Sequence, residues 1–339
     1  MTQIKRLLTF ALVLGCNTGT VQASTYTFSA FDDPNATRGT YATGLNNNGV
    51  VTGYFSDGTG DHGFTDANGT YTTLDDPNAV PSLGALGNGT HALAINSGGQ
   101  VVGEYFKATG GGHGFLYDGG TYTTIDVPGA SIGTAALSIN AGGEIVGLYQ
   151  GASGTIHGFT YTAGTYTTLD DPNALTGLNN GTFLTGINAS GEIAGSYNDA
   201  GGEHGFVYSG GAFTTIDDPN ATQGTYVTGI NDLGWLIGTY TDNNSNHGFV
   251  YENGVFTTLD YPSAIAGVIA PGYSNGTLGY GINTSGLVSG NFIDAGGRHG
   301  FLATPSNVPL PSALYLFGSA IAAFFGMKQQ KHSKPFIAG

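Results

Sequence analysis

The 339-residue chain carries 23 acidic against 8 basic side chains, a formal net charge of −15, with 60 glycines and 12% aromatic residues. Every acid but only three bases, Arg38, Lys107 and Arg298, falls between Ser24 and Thr304, so this body is about twenty charges negative and a nucleic-acid partner, which needs the opposite sign, is excluded. Strand and turn formers abound while Lys, Glu, Met and Arg are scarce, the balance of an exported all-β protein.

Residues 1–23 have the three parts of a secretory signal peptide. Lys5-Arg6 precedes an apolar run, and Val21-Gln22-Ala23 offers a small-residue cleavage site before Ser24. Cys16, the one cysteine, stands in Val13-Leu14-Gly15-Cys16, an imperfect lipobox. Cleavage between Ala23 and Ser24 is favoured because the mature start then coincides with a strand, and it leaves a chain without thiol chemistry.

From residue 24 to 304 the chain repeats a unit seen clearly in GTYVTGINDLGWLIGTYTDNNSNHGFVYENGVFTTLDYP, which starts at Gly224. Three landmarks recur in order. The first is an Asn turn at Asn46, Asn96, Asn140, Asn188, Asn231 and Asn283. The second is His-Gly-Phe, starting at His62, His113, His157, His204, His247 and His299. The third is an Asp-x-Pro run ending at Pro77, Pro128, Pro172, Pro219 and Pro262. Successive histidines are 43 to 52 residues apart, which suits a four-stranded propeller blade. In the first copy, runs at 40–46, 50–55, 62–67 and 70–75 read as four short strands, with Asn68-Gly69 a type I′ hairpin signal. Residues such as Phe206-Val207-Tyr208 leave neither face polar, as expected of a sheet packed on both sides.

The ends of the array select a ring over an open rod. The last copy stops after its third strand, and 25–34, TYTFSAFDDP, is a fourth strand with no unit before it. Pairing the two predicts an all-β, six-bladed β-propeller closed by the N-terminal strand and the last blade, with no exposed edge.

The six histidines at equivalent positions read as structural braces, tied to aspartates such as Asp32/Asp33, Asp75/Asp76, Asp170/Asp171 and Asp217/Asp218. A repeated acid pair is not a catalytic constellation, and Asp126-Val127 and Asp260-Tyr261 drop the second acid, so these acids read as turn formers before proline. The loops from Asp57 to Asp61 and from Asp242 to Asn246 are rich in oxygen but lack EF-hand spacing, leaving weak surface calcium as the sole ion expected. Gly110-Gly111-Gly112 is read as a hairpin loop, and no nucleophile elbow or asymmetric catalytic set is found. No catalytic, cofactor or metal residue is assigned.

Beyond residue 304 the character changes. Val308-Pro309-Leu310-Pro311 is followed by a short apolar stretch and then Lys328, Lys331 and Lys334. This tail, 305–339, resembles the PEP-CTERM sorting signal in a VPLP variant, which implies an exosortase partner, removal of the tail, and display on the surface or in the matrix of a Gram-negative bacterium. The repeats resemble the HAF extracellular repeat, here His-Gly-Phe in six copies, which implies export but no activity. The expected function is therefore a non-enzymatic surface or matrix component that binds extracellular polysaccharide or a surface protein. The alternative is a propeller enzyme, a lyase or glycosidase, with carboxylates in the channel.

Overall fold

The computed structural model describes residues 25–80, 89–108, 111–243, 245–266 and 275–306. The cleavage pair Ala23 and Ser24, Cys16 and the sorting motif Val308, Pro309, Leu310 and Pro311 lie outside them. Among the described residues there are 24 strands and no helix.

The strands form four-stranded antiparallel meanders over 39–74, 90–125, 133–168, 182–216 and 224–259. Two of these are joined into one larger sheet by a single parallel pairing, Glu203 with Gly224. The last three strands, Thr277–Ile282, Val288–Asp294 and Gly297–Ser306, take their fourth partner from the other end of the chain. Thr25–Phe31 lies antiparallel to Gly297–Ser306, in register from Thr25 opposite Ser306 to Phe31 opposite Gly300. This is a β-propeller architecture, and the predicted pairing of the chain ends is present.

Each repeated residue has one local task. The His-Gly-Phe phenylalanines, Phe64, Phe115, Phe159, Phe206, Phe249 and Phe301, are all fully buried. Burial on this scale contributes about 1.5–3 kcal/mol per ring. Each ring covers a glycine on the second strand, where no side chain fits: a Cβ on Gly147 would stand 2.0 Å from the Ala135 carbonyl oxygen and 2.8 Å from the Phe159 ring. The cores lie between sheets. Val102 and Ile125 of the second copy, for example, pack with Ala136 and Phe159 of the third.

Neighbouring copies are stitched by a threonine on each inner strand. Thr40, Thr90, Thr134, Thr182, Thr225 and Thr277 each accept, at 2.8–3.2 Å, a backbone N–H from the Asp-x-Pro turn of the preceding copy. Three residues further, every inner strand carries a bulge. In three copies the bulged residue is threonine, and its hydroxyl donates to the next copy's backbone, as Thr185 does to Val227 at 2.7 Å.

One expectation changes. The sequence suggested two covered faces throughout, but the outermost strands, such as Thr70–Leu74 and Thr121–Ile125, expose most of their threonines. They form the rim, where β-branched polar residues face water without loss of strand propensity.

Candidate functional site

The inner strands surround a narrow channel enclosing about 110 Å³. Its two ends differ, and the difference begins with the repeated asparagines. Each Asn side chain has two jobs. Its Oδ1 accepts backbone N–H groups of its own turn, as Asn140 does from Gly142 and Glu144 at 3.0 Å each. Its Nδ2 then donates to the backbone carbonyl of the next asparagine: Asn46 to Asn96, Asn96 to Asn140, Asn140 to Asn188, Asn188 to Asn231, Asn231 to Asn283, and Asn283 back to Asn46. These bonds of 2.9–3.3 Å close on themselves. The same mouth is strapped by Asp232, which accepts from Asn47 Nδ2 and Ala189 N. This end is structural and nearly symmetric.

The six repeat histidines also act alike, and none lies in the channel lining. Each Nδ1 meets the first acid of an Asp-x-Pro run at 2.7–2.9 Å: His62–Asp75, His113–Asp126, His157–Asp170, His204–Asp217, His247–Asp260, and His299–Asp32. The last pair ties the two ends of the chain. Every ring also packs on a second-strand aromatic, such as Tyr240 beside His247 at 4.9 Å between centroids.

The two acids of the Asp-Asp pairs therefore do different work. The first binds histidine. The second, buried at Asp33, Asp76, Asp171 and Asp218, accepts the N–H two residues on, as from Asn35 and Asn173 at 2.8 Å. Copies that drop the second acid keep the first. Of the oxygen-rich loops, Asp57 spends its Oδ1 on Thr59 and Gly60 within its own turn, and Asp242 accepts from Ser245. No group of three metal-ligating side chains gathers among the described residues.

The opposite end is where the copies diverge. Three positions there share one face of each sheet: the residue after the inner-strand threonine, its cross-strand partner on the second strand, and the residue before each repeat histidine. In copies one, two and six they bring together Tyr41 and Tyr54, His91 and Glu104, and Asp61 and Arg298. Sequence reasoning found no asymmetric constellation. The structure assembles one.

At its centre is His91, outside the His-Gly-Phe pattern and unassigned from the sequence. It is 8% exposed, with Nε2 3.0 Å from Asp61 Oδ2 and Nδ1 3.3 Å from Glu104 Oε1. Burial works against its charge, but the two carboxylates outweigh burial and raise its pKa to about 9. Burial likewise opposes charge on Asp61, yet hydrogen bonds from His91 and Ser56 hold this carboxyl below its usual range.

The His91 ring stacks on Tyr54 at 4.1 Å between centroids, and Tyr54 stacks on Tyr41 at 4.3 Å. The Arg298 guanidinium lies 5.0 Å from the Tyr41 ring centre. The strip thus crosses three copies, from Arg298 through two tyrosines to His91. Beyond it, Gly112, Gly133 and Ala135 leave a cleft of about 160 Å³, edged by Glu104 and Leu148.

Across the channel, Glu203 and Tyr226 occupy the places that Asp61 and His91 hold in the first two copies. Burial pushes the Glu203 carboxyl up, against hydrogen bonds from Tyr226 and Ser196. The signal for both clusters was available in the six copies: strict Thr, Gly, Asn and His-Gly-Phe positions frame a few that vary from copy to copy.

No family model matches the chain, and no curated protein matches it. Similar solved structures include the Aleuria aurantia lectin (13% identity, 85% of this chain and 98% of that one, TM-score 0.43). Another is virginiamycin B lyase from Staphylococcus aureus (13%, 83% and 100%, TM-score 0.45). A third is the β-propeller domain of the Trilobed protease from Pyrococcus furiosus (9%, 79% and 94%, TM-score 0.45).

Proposed function

We propose that the chain is an exported, six-bladed, closed β-propeller that binds extracellular polysaccharide without transforming it, at the channel end where the copies diverge. The observation that carries this reading is the strip Arg298, Tyr41, Tyr54, His91 and Glu104, set in an otherwise repeated frame. Six blades are supported by the asparagine ring returning from Asn283 to Asn46, and closure by the Asp32–His299 pair. Export and surface display rest on the signal at 1–23 and the exosortase-type tail with Val308, Pro309, Leu310 and Pro311.

Polysaccharide suits the strip chemically. The stacked rings offer their edges to sugar C–H groups, and Glu104, Asp61 and Arg298 offer acceptors and donors to hydroxyls. Catalysis suits it poorly. A glycosidase needs one protonated and one ionised carboxyl about 5–9.5 Å apart across a sugar. Here Asp61 and Glu104 each turn one oxygen to the same imidazolium, whose ring fills the space between them. The enzyme reading keeps one foothold in Glu203, whose raised pKa suits a general acid.

A glycan array probed with residues 24–304, with and without calcium, tests the proposal. Binding should appear and be lost in a Tyr41→Leu variant whose near-ultraviolet circular dichroism shows the fold retained. Binding to no glycan, or release of new reducing ends by wild type but not by Glu203→Gln, would overturn it.

A further inference from the structure

The charges at the divergent end are unevenly matched. Asp61 and Glu104 are satisfied by His91, and Glu203 by Tyr226 and Ser196. Arg298 is the exception. Among the described residues it forms no ion pair, although the body holds 23 acids and the repeat histidines nearby all have carboxylate partners. Its neighbours are instead phenols: the guanidinium lies over Tyr41, and its charge favours ionisation of Tyr54 and Tyr280 against the effect of burial.

The backbone beside this arginine follows the repeated frame, in which Gly89 approaches Asp61 and Gly224 approaches Glu203 as Gly39 approaches Arg298. Gly39, at φ +134°, lets the first inner strand pass so close that a Cβ there would lie 3.2 Å from the Arg298 Cβ and carbonyl oxygen. A half-buried arginine stacked over a tyrosine ring, with no carboxylate partner among the described residues, is an acceptor site for a planar anion, which its fork of donors binds in two parallel hydrogen bonds.

We propose that Arg298 receives the carboxylate of an acidic sugar, so that the polysaccharide bound at this end contains uronic-acid residues. This rests on the carbohydrate-binding reading above and narrows it. The carboxylate docks on Arg298 beside the Tyr41–Tyr54 stack, and the chain continues over His91 toward the cleft, where Glu104 accepts sugar hydroxyls. A neutral glycan leaves the guanidinium unmatched. A second consequence concerns salt. The body repels a polyanion at long range while the arginine attracts it at contact. Added salt screens repulsion beyond about 8–10 Å more than it weakens the half-buried contact, so affinity holds or rises with ionic strength.

Calorimetric titration of the purified protein with tetragalacturonate, maltotetraose and tetraglutamate, at low and high NaCl, tests the assignment. Tetragalacturonate should bind, Arg298→Gln should weaken it at least about tenfold, and Arg298→Lys should recover part of the loss. Near-ultraviolet circular dichroism checks each variant's fold, and Tyr41→Leu, which leaves the charge in place, provides a second weakened variant. Equal binding of maltotetraose and tetragalacturonate, insensitive to Arg298→Gln, would overturn the acidic-sugar assignment while leaving carbohydrate binding intact. Binding of tetraglutamate alone, or of none of the three, would overturn both.

Discussion

Replacing His91 with glutamine keeps a polar side chain between Asp61 and Glu104 but removes the cation. In the folded protein His91 stays protonated up to a pKa of about 9, whereas an unfolded histidine releases its proton near 6.5. The folded state therefore holds a proton that the unfolded chain has lost, and stability falls as pH rises. The contribution is complete below pH ~6.5 and gone above about 9. A gap of about 2.5 units at 1.36 kcal/mol per unit gives roughly 3 kcal/mol, or about 5 °C in melting temperature for a body of this size. Asp61 and Glu104 face the imidazole from opposite sides and Tyr54 covers one ring face, while His62, which also acts on Asp61, is present in both proteins. His204 is also raised, which tilts both proteins in the same sense, so the readout is the difference between them. Melting curves from pH 6 to 9.5 should show His91→Gln well below wild type at the acid end and converging with it at the alkaline end. Parallel curves would refute the claim that His91 is held as a cation.

The asparagine ring predicts that Asn140→Ala, which removes one buried and two part-buried hydrogen bonds, lowers stability by about 2–4 kcal/mol in urea unfolding, while the exposed neighbour Ala141→Ser changes almost nothing. Phe159→Ala should cost about 3–5 kcal/mol, and Gly147→Ala should be comparably damaging because its methyl meets the Ala135 carbonyl, both read as shifts in the urea midpoint. The histidine ties are partly exposed, so Asp75→Ala and Asp32→Ala should each cost no more than about 1 kcal/mol, with the chain-end tie no dearer than an internal one.

The frame was legible because its residues repeat. His-Gly-Phe marked a third strand each time, and the orphan segment TYTFSAFDDP announced its pairing with the last copy. The acid partner of each histidine was legible only as a pair of candidates, because the sequence does not say which aspartate faces the ring and which closes the turn. The asparagine ring was invisible for a different reason. An Asn three residues before a Gly already has a local explanation as a turn former, and its second bond reaches across some 43–52 residues to another copy. The divergent end was missed because attention to what repeats hides what does not. His91 looks like an isolated histidine until the sheets bring Asp61, from the preceding copy, and Glu104, across its own strand pair, to its two nitrogens.

Hydrogen exchange of the protein with and without saturating tetragalacturonate tests most directly whether the ring binds its ligand at the end where the copies differ. Slowed exchange in the amides around Tyr41, Tyr54, His91 and Glu104, with the asparagine turns unchanged, is the predicted footprint. Protection centred on Asn46, Asn96 and Asn140, or spread evenly over all copies, would contradict it.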